Sequence, residues 1–323
     1  MKKTAISLCI LLLLFSCKKA IDIKKFNEGL IQIVKTNSLY SDSINWISLE
    51  KELDSLSNRT QTIDKCSLSV ACVIDKLRKS GDFHTCYIPK METGKMVEQN
   101  LNITQPTAKN LGDNIAYLQI PGFNSLNNNV CNDFAQKIQN YIRALDSDSN
   151  IGWVVDLREN TGGNMYPMIA GLGPLLGNGI LGYFIDKREN KTAWFYQDGI
   201  ATTEGSKSII KIAKFYTIKN KTARIAVIIG NKTASSGEMT TISFIGKSNV
   251  KLFGQSSGGY LTGNRPFALL DGSCIALAGC YVTDRTLKKY TNFIVPDVIT
   301  YDFANTDNSL KEAVKWLKKG SQH

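Results

Sequence analysis

Residues 224–238 read Arg-Ile-Ala-Val-Ile-Ile-Gly-Asn-Lys-Thr-Ala-Ser-Ser-Gly-Glu. The β-branched run from Ile225 to Ile229, closed by Gly230-Asn231, predicts a buried strand that ends in a turn. Residues 239–245 continue as an apolar, helix-like segment. Ser235 and Ser236 therefore fall at a strand-to-helix turn, beside the free N–H groups of a helix start. Those groups favour developing negative charge, so a nucleophilic serine and an oxyanion hole can share one such site. The plainer use of a serine there is as a helix N-cap.

The first sixteen residues predict a removed export signal. Lys2 and Lys3 are basic, and residues 6–15 are a short apolar stretch, too short to span a bilayer comfortably. The stretch ends in Leu14-Phe15-Ser16-Cys17, which resembles a bacterial lipobox. That resemblance implies lipid on Cys17 and anchoring to a membrane rather than spanning it. The expected location is the bacterial cell envelope, on its periplasmic or outer-surface face. An ordinary secretory signal with an incidental cysteine is the alternative.

The chain has 323 residues, 43% of them hydrophobic, enough for a substantial globular core. Its formal charge is +11, with basic residues scattered rather than clustered with aromatics, which argues against nucleic-acid binding. Eight cysteines include Cys9 and Cys17, which leaves Cys66, Cys72, Cys86, Cys131, Cys274 and Cys280 as possible disulfide partners in an exported chain. The absence of a CxxC pair and a total of two histidines make a zinc site unexpected. No metal and no cofactor is expected.

Residues 17–21 form a short tether. Three runs with helical spacing follow: Phe26, Leu30, Ile33 and Val34; Trp46, Leu49, Leu53 and Leu56; Cys66, Val70, Val73, Ile74 and Leu77. Residues 22–80 therefore predict a small helical subdomain, and residues 81–323 the main domain. Gly81-Asp82 breaks the third helix, and His84, the only interior histidine, sits at a helix-to-strand junction. Residues 90–112 predict a polar connector. A strand at 115–120, a long helix carrying Phe134 and Ile138, and a strand at 153–155 come next. The last runs into Asp156-Leu157-Arg158-Glu159-Asn160-Thr161-Gly162-Gly163, whose glycine pair lets backbone N–H groups approach a ligand closely. Tyr183 and Trp194 lie on a predicted strand pair, and residues 267–277 on a hairpin around Asp271-Gly272. Residues 281–283 predict a further strand. Ser309 and Glu312 predict a capping box for a last helix ending before Gly320.

Five segments in order resemble the tail-specific (C-terminal processing) serine peptidases and their tricorn-core relatives. They are Asp82-Phe83-His84-Thr85; residues 156–163; Thr233-Ala234-Ser235-Ser236-Gly237-Glu238; Gly254-Gln255-Ser256-Ser257-Gly258-Gly259; and Val295-Pro296-Asp297-Val298. The resemblance implies an α/β (α+β) fold of the crotonase/ClpP kind, a curved mixed sheet with helices outside. It also implies Ser235 as nucleophile, three residues before Glu238. The N–H of Ser236 and that of Gly162 or Gly163 would form the oxyanion hole.

The processing peptidases carry a lysine base where this chain has Tyr260, and an inserted PDZ domain for which residues 90–112 leave no room. Both departures point to the tricorn-like branch, in which His84 is the base. The serine and glutamate that orient the histidine in that branch have no match here: Phe83 precedes His84, and Tyr290 stands near the expected acid. The implied activity is hydrolysis of peptide or protein substrates through an acyl-enzyme, with an acid limb at about pH 5.5–7.5 for an ordinary histidine. A binding lipoprotein with a degraded site, or an ester-hydrolysing or acyl-transferring enzyme, are the alternatives on the same fold.

Overall fold

The computed structural model describes residues 21–59, 65–90, 103–206 and 209–320. The leader, Cys17 and His323 lie outside the described residues. Three helices come first: α1 (Ile23–Asn37), α2 (Trp46–Arg59) and α3 (Lys65–Lys79). Asp22 caps α1 by accepting from the Lys24 and Lys25 N–H groups. Phe26, Leu30 and Val34 recur every four residues and are buried against Leu49, Leu53, Val70 and Leu77. Leu269, Ile275 and Leu277 complete the same cluster. The helical segment thus shares its core with the sheet that follows it.

The strands and remaining helices run in chain order. β1 (Cys86–Ile88), β2 (Thr107–Asn110) and β3 (Ile115–Gln119) precede α4 (Asn128–Leu145) and β4 (Gly152–Asp156). Then come α5 (Met165–Leu176), β5 (Gly179–Asp186), β6 (Lys191–Gln197), β7 (Ile200–Thr203) and β8 (Ile210–Lys211). β9 (Arg224–Ile229), α6 (Ser236–Ile242) and β10 (Val250–Gly254) follow. The chain closes with β11 (Thr262–Ala268), β12 (Cys274–Asp284), β13 (Lys289–Tyr290), β14 (Val298–Ile299) and α7 (Asn308–Lys319).

These strands form two sheets. A six-stranded sheet has the order β14-β10-β9-β4-β3-β2. It is parallel throughout except at β2, which runs antiparallel to β3. Alternation decides its two faces. Ile225, Val227 and Ile229 of β9 turn with Trp153 and Val155 toward α4 and α5, whereas Ala226, Ile228 and Val154 turn toward α7. The second sheet is antiparallel and built on β12, which holds β11 and β13 on one edge and β1 and β5 on the other. The expected mixed architecture is therefore present, divided between two sheets.

Several local expectations change. Residues 107–110 are a strand rather than connector; Thr-Ala-Lys-Asn carries no apolar alternation, and it pairs with β3 through the backbone ladder, with Thr107 bonded to Gln119 and Lys109 over the Tyr117 ring. Residues 281–283 continue β12 instead of starting a new strand. The first turn of α6 begins at Ser236, not at Met239. Asp307, not Ser309, caps α7, accepting from the Leu310 N–H at 2.8 Å. Ser309 is buried, its hydroxyl held by Asp302 and Thr300. The six cysteines within the described residues are free thiols rather than disulfides.

Leu317 on α7 is fully buried against the strand floor, so close to Gly152 that a Cβ there would lie 2.6 Å from Leu317 Cδ2. Leu317→Ala should cost about 2–5 kcal/mol. Urea unfolding should show a lower midpoint at unchanged slope; an unchanged midpoint would mean that α7 contributes little to the sheet's stability.

Candidate active site

Parallel sheets bind ligands in the crevice beyond the carboxyl ends of their strands. Here three loops leave β4, β9 and β10 side by side and are laced together. Thr233 Oγ1 accepts from the Gly230 N–H at 3.0 Å and donates to Leu157 O at 2.8 Å. The Ala234 N–H donates to Asn160 O and the Gly258 N–H to Thr233 O. Gly237 fits tightly in this lacing, since a Cβ on it would lie 2.4 Å from Asn160 O.

Ser235 ends the β9 loop with φ 52° and ψ −118°, in the left-handed region that non-glycine residues rarely adopt. Glu238, fully buried, holds it there: the Ser235 N–H donates to Glu238 Oε2 at 2.8 Å. The same carboxylate accepts from the Tyr260 N–H at 2.8 Å, the Gly259 N–H at 2.8 Å and the Ser257 hydroxyl at 2.5 Å. Burial pushes the Glu238 pKa up, and these four donors pull against that. One acidic side chain thus joins the β9 and β10 loops.

His84 arrives from the other sheet, on the turn between α3 and β1. Its Nε2 is 3.0 Å from Ser235 Oγ, across 151 residues of sequence. Its Nδ1 is 2.8 Å from Thr262 Oγ1 at the start of β11. The Asn264 side chain donates to His84 O at 2.8 Å, and the Tyr260 ring meets the imidazole edge-on at 5.3 Å. The position where the processing peptidases carry lysine is therefore occupied by a ring against the histidine. Burial lowers the His84 pKa to about 4, opposed by the charge of Asp82 and the contact with Thr262. Thr262 supplies the orienting contact that the sequence left unassigned. No motif marks it, and it lies 178 residues from His84.

Gly162 and Gly163 have φ of 104° and 105° and run past the serine. A Cβ on Gly162 would lie 2.9 Å from Ser235 Cβ and 3.1 Å from Ser236 N. The Gly162 N–H is taken by Asn160 Oδ1 at 3.1 Å. Among the described residues, the N–H groups of Gly163 and Ser236 have no hydrogen-bond partner. The Ser236 hydroxyl donates to Gly163 O, which ties the two segments together.

A neutral imidazole facing a serine hydroxyl, with two open backbone donors alongside, can support acyl transfer. The sequence profile of peptidase family S41 matches residues 114–300. The chain belongs to this family. It is 34% identical over 285 residues to the nisin-resistance protein of Lactococcus lactis subsp. lactis, covering 87% of this chain and 82% of the relative. It is 26% identical over 223 residues to the carboxy-terminal processing protease CtpA of Bacillus subtilis (strain 168), covering 64% of this chain and 42% of that one. The solved structure of a lipoprotein from Streptococcus agalactiae superposes with a TM-score of 0.76 at 30% identity, over 93% of this chain and 97% of that one. Family membership agrees with the resemblance to tail-specific peptidases and with the mixed α/β fold.

The His84 ring should stay neutral from pH 7 down to about 4. Between that value and about 6.5, where an unfolded histidine titrates, the unfolded chain takes up a proton that the native ring refuses. This contribution to stability therefore falls as pH falls through the window and is flat below it. Histidine ring NMR reads the midpoint directly; a midpoint near 6.5 for His84 would contradict the desolvated environment.

Proposed function

We propose that the chain is an exported, lipid-anchored serine peptidase that cleaves peptide bonds through an acyl-enzyme. The observation that carries this reading is the 3.0 Å contact between His84 Nε2 and Ser235 Oγ beside two N–H groups that have no partner among the described residues. His84, with its Nδ1–H donating to Thr262, takes the Ser235 proton on Nε2 as Oγ attacks the scissile carbonyl. The Gly163 and Ser236 N–H groups receive the tetrahedral oxyanion. His84 then returns the proton to the leaving amine, and water, activated by the same nitrogen, hydrolyses the ester at Ser235. Ser235 is thus the nucleophile, His84 the base, and Thr262 the group that orients it.

Three exposed aromatic residues belong to the segments that carry this pair or flank it. Phe83 is 74% exposed beside His84, Tyr260 flanks the imidazole, and Phe293 lies against Gly259. They favour a peptide carrying bulky apolar side chains near the scissile bond. The relative named for nisin resistance, 34% identical, supports a substrate related to nisin. The Leu14-Phe15-Ser16-Cys17 stretch and the similarity to a streptococcal lipoprotein support lipid on Cys17 and an envelope location. A binding lipoprotein on the same fold is the second reading. It is favoured by one feature, that a neutral hydroxyl rather than a carboxylate backs His84.

A fluorophosphonate probe separates the two readings. Wild type should be phosphonylated, with the adduct on Ser235 by peptide mass spectrometry. Ser235→Ala should take up no label, and His84→Ala should lose at least about 100-fold in rate while keeping its melting temperature. No labelling of folded wild type would favour the binding reading, and an adduct on Ser236 would overturn the assignment. A fatty-acid analogue fed to expressing cells should label wild type and not Cys17→Ala.

A further inference from the structure

Asp82 belongs to a motif singled out in the sequence, yet the chemistry above makes no use of it. Its side chain is 1% exposed. Its Oδ1 accepts from the His84 N–H at 3.0 Å and the Thr85 N–H at 2.9 Å, and its Oδ2 accepts from the Thr85 hydroxyl at 2.5 Å. Thr85 Oγ1 in turn accepts from the Ala278 N–H of β12 at 3.0 Å. Both oxygens only accept, which is the pattern of an ionised carboxylate. A negative charge is therefore fixed one residue from Phe83 and hydrogen-bonded to the backbone of His84 itself, inside the protein and shielded from solvent counter-ions.

We propose that Asp82 is the electrostatic partner of His84: it acts through space on the imidazolium formed during catalysis, while Thr262 orients the ring. This rests on the reading of His84 as base. When Ser235 Oγ gives up its proton, positive charge appears on the imidazole, and the group touching Nδ1 is a neutral hydroxyl. An ion-pair partner in contact with the ring is thus missing from the serine–histidine–threonine line. A buried charge hydrogen-bonded to the backbone of His84 supplies part of that stabilisation without touching the ring, because poorly solvated charges interact strongly. The other groups around the imidazole are Tyr260, Thr262 and Ser235, with Glu238 behind Ser235 already bound to four donors. Burial first, and then the charge of Asp82, push the Tyr40 phenol pKa up. The upward pull of Asp82 on the His84 pKa has the sign this role requires.

The division of labour explains how a base with no carboxylate in contact can still work. It also explains why the turn before His84 buries an acid whose hydrogen bonds a neutral amide could largely make. Asp82→Asn separates charge from shape. The amide oxygen can keep the two N–H contacts of Oδ1. The amide nitrogen can donate to Thr85 Oγ1, which then accepts from it as well as from the Ala278 N–H and gives up only its own donation.

The test compares phosphonylation of wild type, Asp82→Asn and Thr85→Ala at pH 7, together with the NMR titration of His84. Asp82→Asn should melt as wild type does, fall about tenfold or more in rate, and show a His84 midpoint below that of wild type. An unchanged rate and midpoint in folded Asp82→Asn would overturn the proposal. Thr85→Ala leaves the charge but removes both a donor to the carboxylate and the acceptor of the Ala278 N–H, so it should melt lower while the folded protein stays within about twofold of the wild-type rate. Should Asp82→Asn fail to fold, Thr85→Ala decides: a tenfold fall in a folded Thr85→Ala protein would show that the shape of the turn, not its charge, sets the rate. Absence of labelling in wild type, or full labelling of His84→Ala, would instead sink the underlying assignment of the base.

Discussion

The carboxylate of Glu238 is the point on which the site depends. A buried acid is costly unless each of its oxygens is met by donors. Here two donors meet each oxygen, three of them backbone N–H groups and one the Ser257 hydroxyl. The contact with the Ser235 N–H fixes a backbone conformation of the kind that typically costs about 1–3 kcal/mol. Hydrogen bonds to a charged group typically contribute about 1.5–3 kcal/mol each, enough to offset that cost. The contacts with Gly259 and Tyr260 fix the loop that sets a ring edge against His84. Removing this acid would release the serine and part of the wall around its partner together.

The rest of the site is assembled from distant pieces by ordinary packing. Ser235 and the two glycines stand at the ends of parallel strands in one sheet, whereas His84 and Thr262 belong to the other sheet. β12 connects these regions. The Ala278 N–H of that strand anchors the turn carrying His84, and Ala278 O receives the Leu39 N–H from the helical segment. Leu277 and Ile275 are buried beneath α1, α2 and α3. The N-terminal helices therefore support the strand that supports the base, which gives a structural reason for a small helical unit in front of the sheets. In the proposed reading, catalysis depends on contacts made well away from the reacting atoms.

Much of this was legible in the sequence where physics leaves a local mark. The β-branched runs of β4 and β9 announce buried strands, and the spacing of Phe26, Leu30 and Val34 announces a helix. Ser235 and His84 stand out because they lie at breaks between elements, within motifs whose order matched the family. Other features carry no local mark. Thr262 is an ordinary threonine until folding brings it to Nδ1 of a histidine 178 residues away. β2 is polar and carries no alternating apolar face, and it takes its place by pairing with β3. Asp307 and Ser309 compete for one cap, and Asp302, which claims the Ser309 hydroxyl, decides between them. The choice between Gly162 and Gly163 as an open donor turns on Asn160, whose amide oxygen takes the first of the two N–H groups.

The Glu238 carboxylate shapes the serine. Glu238→Gln tests it most directly, because the amide has a single acceptor oxygen for donors that need two and so leaves at least one N–H unsatisfied. The measurement is the second-order rate constant for phosphonylation of Ser235, read beside the melting temperature. A folded Glu238→Gln protein that reacts at least about tenfold more slowly than wild type is the predicted result. Reaction at the wild-type rate would show that the serine holds its geometry without the charge.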